Sequence, residues 1–185
     1  MMKFLMVLSI TLLITACSGV ETRVHSNTNQ SVEFNQYSNF GFFRPLDTDS
    51  DYESLISQYL KEATTNEMTK RGFVLNNEQP DLLINFHSNV ENKQYVHHVP
   101  RSNHGGYYSY RGRVYYDAWL GYETYVDNYT EGTVNIDIVD RQQNKMIWEG
   151  IAIGHLTDKK QQNMQSTLQQ IVIDIFSQFP ITITP

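Results

Sequence analysis

Only one cysteine, Cys17, occurs among the 185 residues, so the chain cannot close a disulfide within itself. Long apolar runs are also missing. Phe4–Ile14, broken only by Ser9 and Thr11, is eleven residues long, whereas a membrane-spanning helix needs roughly 20. Positive charge is scarce: 14 Lys and Arg stand against 20 Asp and Glu, a formal net charge of −6. Such a chain has no electrostatic footprint for nucleic acid. It also lacks the Lys/Arg cluster that would hold it to anionic lipid by charge. Common enzyme signatures are absent, with no Gly-x-Ser-x-Gly, phosphate loop, Cys-x-x-Cys or His-Glu-x-x-His.

What is present begins with the leader. Met1-Met2-Lys3 supplies a positive charge, Phe4–Ile14 an apolar stretch, and Ile14-Thr15-Ala16-Cys17 a small-residue ending. That is the anatomy of a secretory signal peptide over residues 1–16. The ending resembles a bacterial lipobox, which implies a diacylglyceryl group on Cys17 and cleavage just before it. An odd cysteine in an exported chain otherwise means an intermolecular bond or a reactive thiol, and the position of Cys17 selects lipidation. Each buried CH₂ contributes about 0.8 kcal/mol, so two or more acyl chains anchor stably. Ser18 stands where Gram-negative lipoproteins kept in the inner membrane typically carry Asp, which implies an outer-membrane protein facing the periplasm. Loss of Lys3 with the leader leaves 13 basic residues and a net charge of −7.

After the leader the sequence reads as a polar tether with one short strand around Val20–His25 (residues 17–36), one α+β domain (37–180) and a tail (181–185). Tyr37–Arg44 reads as a strand stopped by Pro45. Tyr52–Arg71 reads as a helix whose buried stripe is Tyr52, Leu55, Ile56, Tyr59, Leu60 and Ala63. Ser50 or Asp51 is the expected N-cap, and Gly72 the left-handed C-cap. Asp81–Val90, Thr133–Asp140 and Lys145–Gly154 read as strands, the last two joined as a hairpin by the short polar Arg141–Asn144. A final helix from Lys160 to Gln178 presents Met164, Leu168, Ile171, Val172, Ile175 and Phe179. This order predicts a mainly antiparallel sheet with two helices on one face, plus a Tyr-rich extended hairpin.

Residues 91–130 form the compositional anomaly, holding nine of the twelve tyrosines. Arg113–Leu120 and Glu123–Tyr129 are strand candidates, with Gly121-Tyr122 near a turn. In one reading the Tyr rings pack on the sheet and keep their hydroxyls wet. In the other, Tyr107, Tyr108, Tyr110, Tyr115, Tyr116 and Trp119 form a ligand or partner surface, since Tyr offers a large amphipathic face with little rotamer entropy to lose. His97, His98 and His104 are weak metal-ligand candidates, because neighbouring strand residues point to opposite faces and no carboxylate or thiol completes a known spacing. His25, His87 and His155 are isolated in sequence. Asp117, Glu123, Asp127 and Glu131 would serve glycoside hydrolysis only if two met across a cleft.

Taken in order, several stretches resemble the bacterial lipoproteins grouped under domain of unknown function 4136. They are Tyr37–Arg44 with Pro45, Lys70-Arg71-Gly72-Phe73, Pro80-Asp81-Leu82-Leu83-Ile84, Glu131–Asp140, Lys145-Met146-Ile147-Trp148-Glu149-Gly150 and Phe179-Pro180. The resemblance carries no catalytic residue and no cofactor. It implies scaffold roles: Gly72 as a cap, Trp148 in the core, Asp81 holding a turn. The expectation is a lipid-anchored, non-enzymatic envelope protein with an interaction or structural role. Its expected partners are the membrane, an envelope protein or cell-wall glycan, and no nucleic acid. The alternatives are a periplasmic small-ligand, glycan or metal binder using the Tyr/His segment, and a hydrolase.

Overall fold

The computed structural model describes residues 22–101, 106–117 and 121–183. Cys17, His104 and Trp119 lie outside them. Six strands form one sheet in the order β1-β8-β7-β4-β2-β3: β1 (Arg23–Thr28), β2 (Asn39–Phe42), β3 (Val74–Leu75), β4 (Leu82–Arg101), β7 (Gly121–Asp140) and β8 (Lys145–His155). A separate two-stranded sheet pairs β5 (Gly106–Tyr110) with β6 (Arg113–Asp117). The helices are α1 (Leu55–Lys70), the short α2 (Asp158–Gln162) and α3 (Met164–Phe176). The β1–β8, β8–β7 and β7–β4 pairs are antiparallel, while β2 runs parallel to β4 and to β3. The expected α+β class and mainly antiparallel sheet are thus observed.

The core lies between the sheet and helices α1 and α3. Strand β4 sends Leu82, Ile84 and Phe86 inward, and β7 sends Val134, Ile136 and Ile138. Each such side chain, fully buried, contributes about 1.5–3 kcal/mol. Helix α3 adds Leu168, Val172, Ile175 and Phe176. Trp148 is buried as expected, edge-on to Phe179 at 5.1 Å and tilted on Phe176 at 5.7 Å. Gly150 makes this packing possible. A Cβ there would lie 2.4 Å from both Ile175 Cγ2 and Trp148 Cη2.

Helix α1 begins later than its periodicity implies. Ser54, not Ser50 or Asp51, is the N-cap, accepting from Ser57 N at 3.0 Å. Asp49 accepts from Ser54 N and from the buried Ser57 hydroxyl, fixing the cap from behind. Tyr52 and Leu55, expected in the buried stripe, are 75% and 63% exposed. The other end matches expectation: Gly72 adopts φ +90°, a conformation that costs any L side chain strain. The final helix is broken at Asn163 (φ −118°, ψ 45°), so Thr157 caps the one-turn α2 and α3 starts afresh. The first strand lies at Arg23–Thr28, three residues later than expected.

Arg71 ties the two long helices together. Its guanidinium, 5% exposed, meets Glu67 Oε2 at 2.6 Å, Phe176 O at 2.8 Å and Ile181 O at 3.0 Å. It thereby satisfies a carbonyl left open at the C-terminus of α3. Asp81 fastens β2 to β4, as its turn-holding role implied. One carboxylate oxygen accepts from Ser38 N, Asn39 N and Asn39 Nδ2, and Asn39 Oδ1 accepts from Asp81 N. Tyr37 donates to Asp140 at 2.7 Å, and burial together with this carboxylate raises its hydroxyl to about 12.

Removing one partner of a buried ion pair costs about 3–5 kcal/mol. Arg71→Ala is expected to lose that much in urea unfolding, and the double variant E67M/R71M to regain most of it. Burial alone would raise the Glu67 carboxyl, but hydrogen bonds from Lys70 and Arg71 outweigh it and hold it below the ordinary glutamate range. Its contribution is therefore complete above the unfolded value of about 4.3 and fades as pH falls through the lower folded value. The stability gap between wild type and Glu67→Gln should close in acid. Gly150→Ala should cost about 1–3 kcal/mol, as overpacking does, read as a shift of the urea midpoint at constant slope.

Candidate functional site

Strands β4 and β7 pair residue for residue over their full length, from Leu82 opposite Asp140 to Arg101 opposite Gly121. Strand β8 accompanies them only as far as His155 opposite Glu131. Beyond that point β4 and β7 continue as a two-stranded ribbon. Between Val90 and Arg101, at ~3.3 Å per residue, the ribbon gains about 36 Å. Tyr95, Tyr122 and Tyr125 on it are 57%, 67% and 52% exposed, as are Val96 and Val126 at about half. The expectation that tyrosine rings pack on the sheet is therefore corrected for these three. The ribbon has left the helical layer, so no core remains beneath them.

The two faces of the ribbon differ in chemistry. One carries a chain of polar contacts: Lys93 with Glu91 at 2.7 Å and Glu131 at 3.7 Å, and His97 with Asp127 at 3.1 Å. Tyr95 lies over His97, with ring centroids 4.4 Å apart, and Tyr129 stacks on His155 at 4.2 Å. Tyr125 donates to Glu123, which raises the Tyr125 hydroxyl above its usual range. The opposite face continues the row of Phe86 and Ser88, with Val90, Val96 and Val126 among neutral polar residues. Thr130 donates to Asn92 at 3.1 Å, and Thr124 meets His98 Nδ1 at 3.2 Å. His97 and His98 thus sit on opposite faces. Among the described residues, no three His, Cys, Asp or Glu side chains are gathered as metal ligands.

The tip sheet places Tyr107 opposite Tyr116 and Tyr108 opposite Tyr115. Its two-residue turn is Arg111-Gly112, both with positive φ (49° and 74°). The twist of the hairpin demands this at both central positions. Tyr110 is 61% exposed, with the Arg111 guanidinium 5.5 Å from its ring centre. The turn therefore falls at Arg111-Gly112, and Gly121-Tyr122, expected near a turn, is paired strand. The sequence did carry a signal for the ribbon. Charges recur at alternate positions (Glu91 and Lys93; Glu123, Asp127 and Glu131) without any apolar alternation.

At the root of the ribbon, an apolar cavity of about 80 Å³ opens between sheet and helices. Ile56, Val90, Val134, Leu168 and Ile171 line it, with Thr22, His155 and Lys160 at its margin. On the far face of the sheet, His87 is drawn into a cluster that its sequence position did not reveal. Its ring nitrogens lie 3.0 Å from Asp137 Oδ2 and 3.1 Å from Asp47 Oδ2, and Asn85 donates to Asp47 at 2.7 Å. Asp137 is 6% exposed, and its Oδ1 has no partner. Burial raises its carboxyl above the ordinary aspartate range, Glu149 and Asp47 add to the shift, and His87 opposes it. Together these contacts clasp the 47-loop onto the sheet.

The family model described as Domain of unknown function (DUF4136) matches residues 24–181. The chain belongs to that family. No curated protein matches it. Among solved structures, a PDZ domain protein from Parabacteroides distasonis ATCC 8503 is similar at 17% identity and a TM-score of 0.56, over 88% of this chain and 37% of that one. This chain thus spans little more than a third of that protein, and the likeness concerns the fold. Two PelC dodecamer structures from Paraburkholderia phytofirmans align at 9% and 8% identity with TM-scores of 0.45 and 0.46, each over 85% of this chain and 95% and 96% of theirs.

An opposite charge beside a carboxyl favours its ionised form. Removal of the ring in His87→Ala should therefore move the Asp137 carboxyl further up. Carbon-detected NMR titration of the side-chain carboxyl reads this directly, and an unchanged value would show that the clasp carries no charge.

Proposed function

We propose that this chain is a lipid-anchored cell-envelope protein, held by Cys17 in the outer membrane and facing the periplasm, with a non-enzymatic interaction or structural role. The observation that carries the reading is the ribbon. It spends the outer half of two twenty-residue strands on a projection that adds nothing to the core and displays aromatic and aliphatic side chains to the outside. Isolated two-stranded ribbons are marginal in water, so a surface of this kind is best accounted for by what it meets. The leader and the lipobox-like ending at Cys17 support the envelope setting. No helix among the described residues is long and apolar enough to cross a membrane, which agrees with an acyl anchor without requiring one.

A second reading, a binder of a small apolar ligand, is favoured by the cavity at the ribbon root rather than by the Tyr/His segment. Calorimetry with short fatty acids addresses it. For the main reading, growth with an alkyne-bearing fatty acid should label the protein, and Cys17→Ala should lose the label and leave the membrane fraction. Label persisting in that variant would sink it.

A further inference from the structure

The tether and the ribbon leave the body at the same end. Thr22 packs on Gly154, its Oγ1 3.1 Å from where a Cβ would stand there. Gly154 pairs with Gly132, and Gly132 with Val90, where the ribbon begins. Cys17 is five residues before Thr22, so the sulfur-bearing residue lies at most about 18 Å from this end. The ribbon reaches about 36 Å from the same place. A bilayer close enough to hold the acyl chains is therefore closer than the ribbon is long. The ribbon is therefore long enough to reach it.

Its two faces are built unequally for that meeting. From 88 to 100 on β4 and from 122 to 134 on β7, the even-numbered residues include no Asp, Glu, Lys or Arg. The odd-numbered residues carry all the charge. Val90, Val96, Val126 and Tyr122 on the neutral face are about half exposed or more. Leu55 stands exposed in the first turn of α1, beside the cavity-lining Ile56. At the far end, Tyr110 stands exposed with the Arg111 guanidinium over its ring, and Arg113 follows across the turn. Aromatic residues with arginine suit the headgroup layer. Full insertion is excluded, because the outer edges of a two-stranded ribbon leave backbone groups unpaired in hydrocarbon.

Resting on the anchored reading above, we infer that the ribbon lies in the headgroup layer of the same phospholipid bilayer that holds Cys17. Its neutral Val/Tyr face is turned to the lipid and its Glu91–Lys93–Asp127 face to water. The body is then held at two points, the acyl chains and the ribbon, and cannot swivel freely on its tether.

The test uses the acylated mature protein in vesicles of phosphatidylethanolamine and phosphatidylglycerol containing a nitroxide-bearing lipid. A fluorophore is attached at V126C or, on the other face, at V99C. Intact mass spectrometry first establishes the acyl chains on Cys17; a bare sulfur overturns the anchor, and this inference with it. With acylated protein, the label at 126 should be quenched several-fold more than the label at 99. Equal or absent quenching at both sites overturns the inference while leaving the anchor standing. Self-quenching between labels at 126 that persists without lipid would assign the face to a second copy and likewise overturn it. A label at V96C should lose most of its quenching when Val126→Asp is added, with the protein still bound to the vesicles. Because both positions are exposed, these variants leave the core intact.

Discussion

Twenty consecutive pairs between β4 and β7, without a bulge, set the rest of the molecule. In a sheet, side chains alternate with a strict period of two, so a slip of one residue would exchange the faces along the whole length. The inner end pins the register. Leu82, Ile84 and Phe86 fill the core against Ile136 and Ile138. The same end is closed by Arg141 N donating to Asp81 O and by Tyr37 donating to Asp140. The alternation fixed there continues outward past the last helix contact. Buried leucine and isoleucine near one end thus determine which residues face which way on the exposed ribbon.

The helical layer depends on fewer, stronger contacts. Arg71 reaches one carboxylate and the carbonyls of Glu67, Phe176 and Ile181, so a single planar donor serves the ends of both long helices. A lysine could not fork in this way. Around it, Phe34, Phe73, Trp148 and Phe176 all pack against Phe179 just past the end of α3. The Phe-Pro ending is therefore a keystone for the aromatic cluster as well as a stop signal.

Features written in local sequence were legible. Gly72 after Lys70-Arg71 announced the helix end, the polar run Arg141–Asn144 announced the hairpin, and Trp148 in an alternating strand announced the core. Features that depend on distant partners were not. Nothing near Gly150 shows that Trp148 and Ile175 would crowd it, and nothing near His87 reveals Asp47 and Asp137. Tyr52 and Leu55 fit the helical period but precede the cap, which Asp49 and Ser57 place at Ser54. The ribbon escaped the usual strand signal because neither of its faces is buried. Hydrophobic alternation records burial, and where there is none only the alternation of charge remains. Among the candidate residues, Tyr110, His97 and His98 are placed on the ribbon or its tip, on more than one face, rather than gathered around a ligand.

Among the described residues, the ribbon's ion pair and ring contact with the body, Arg23 with Glu131 and Tyr129 on His155, lie at its root, while its other ion pairs close within the ribbon. Folding of the body and retention of the ribbon are thus energetically separable, as contiguous units of differing local stability commonly are. Such an arm is modular: its length and decoration can drift between relatives without disturbing Trp148 or Arg71. Divergence within this family would then concentrate in the arm, with the scaffold acting as an interchangeable mount.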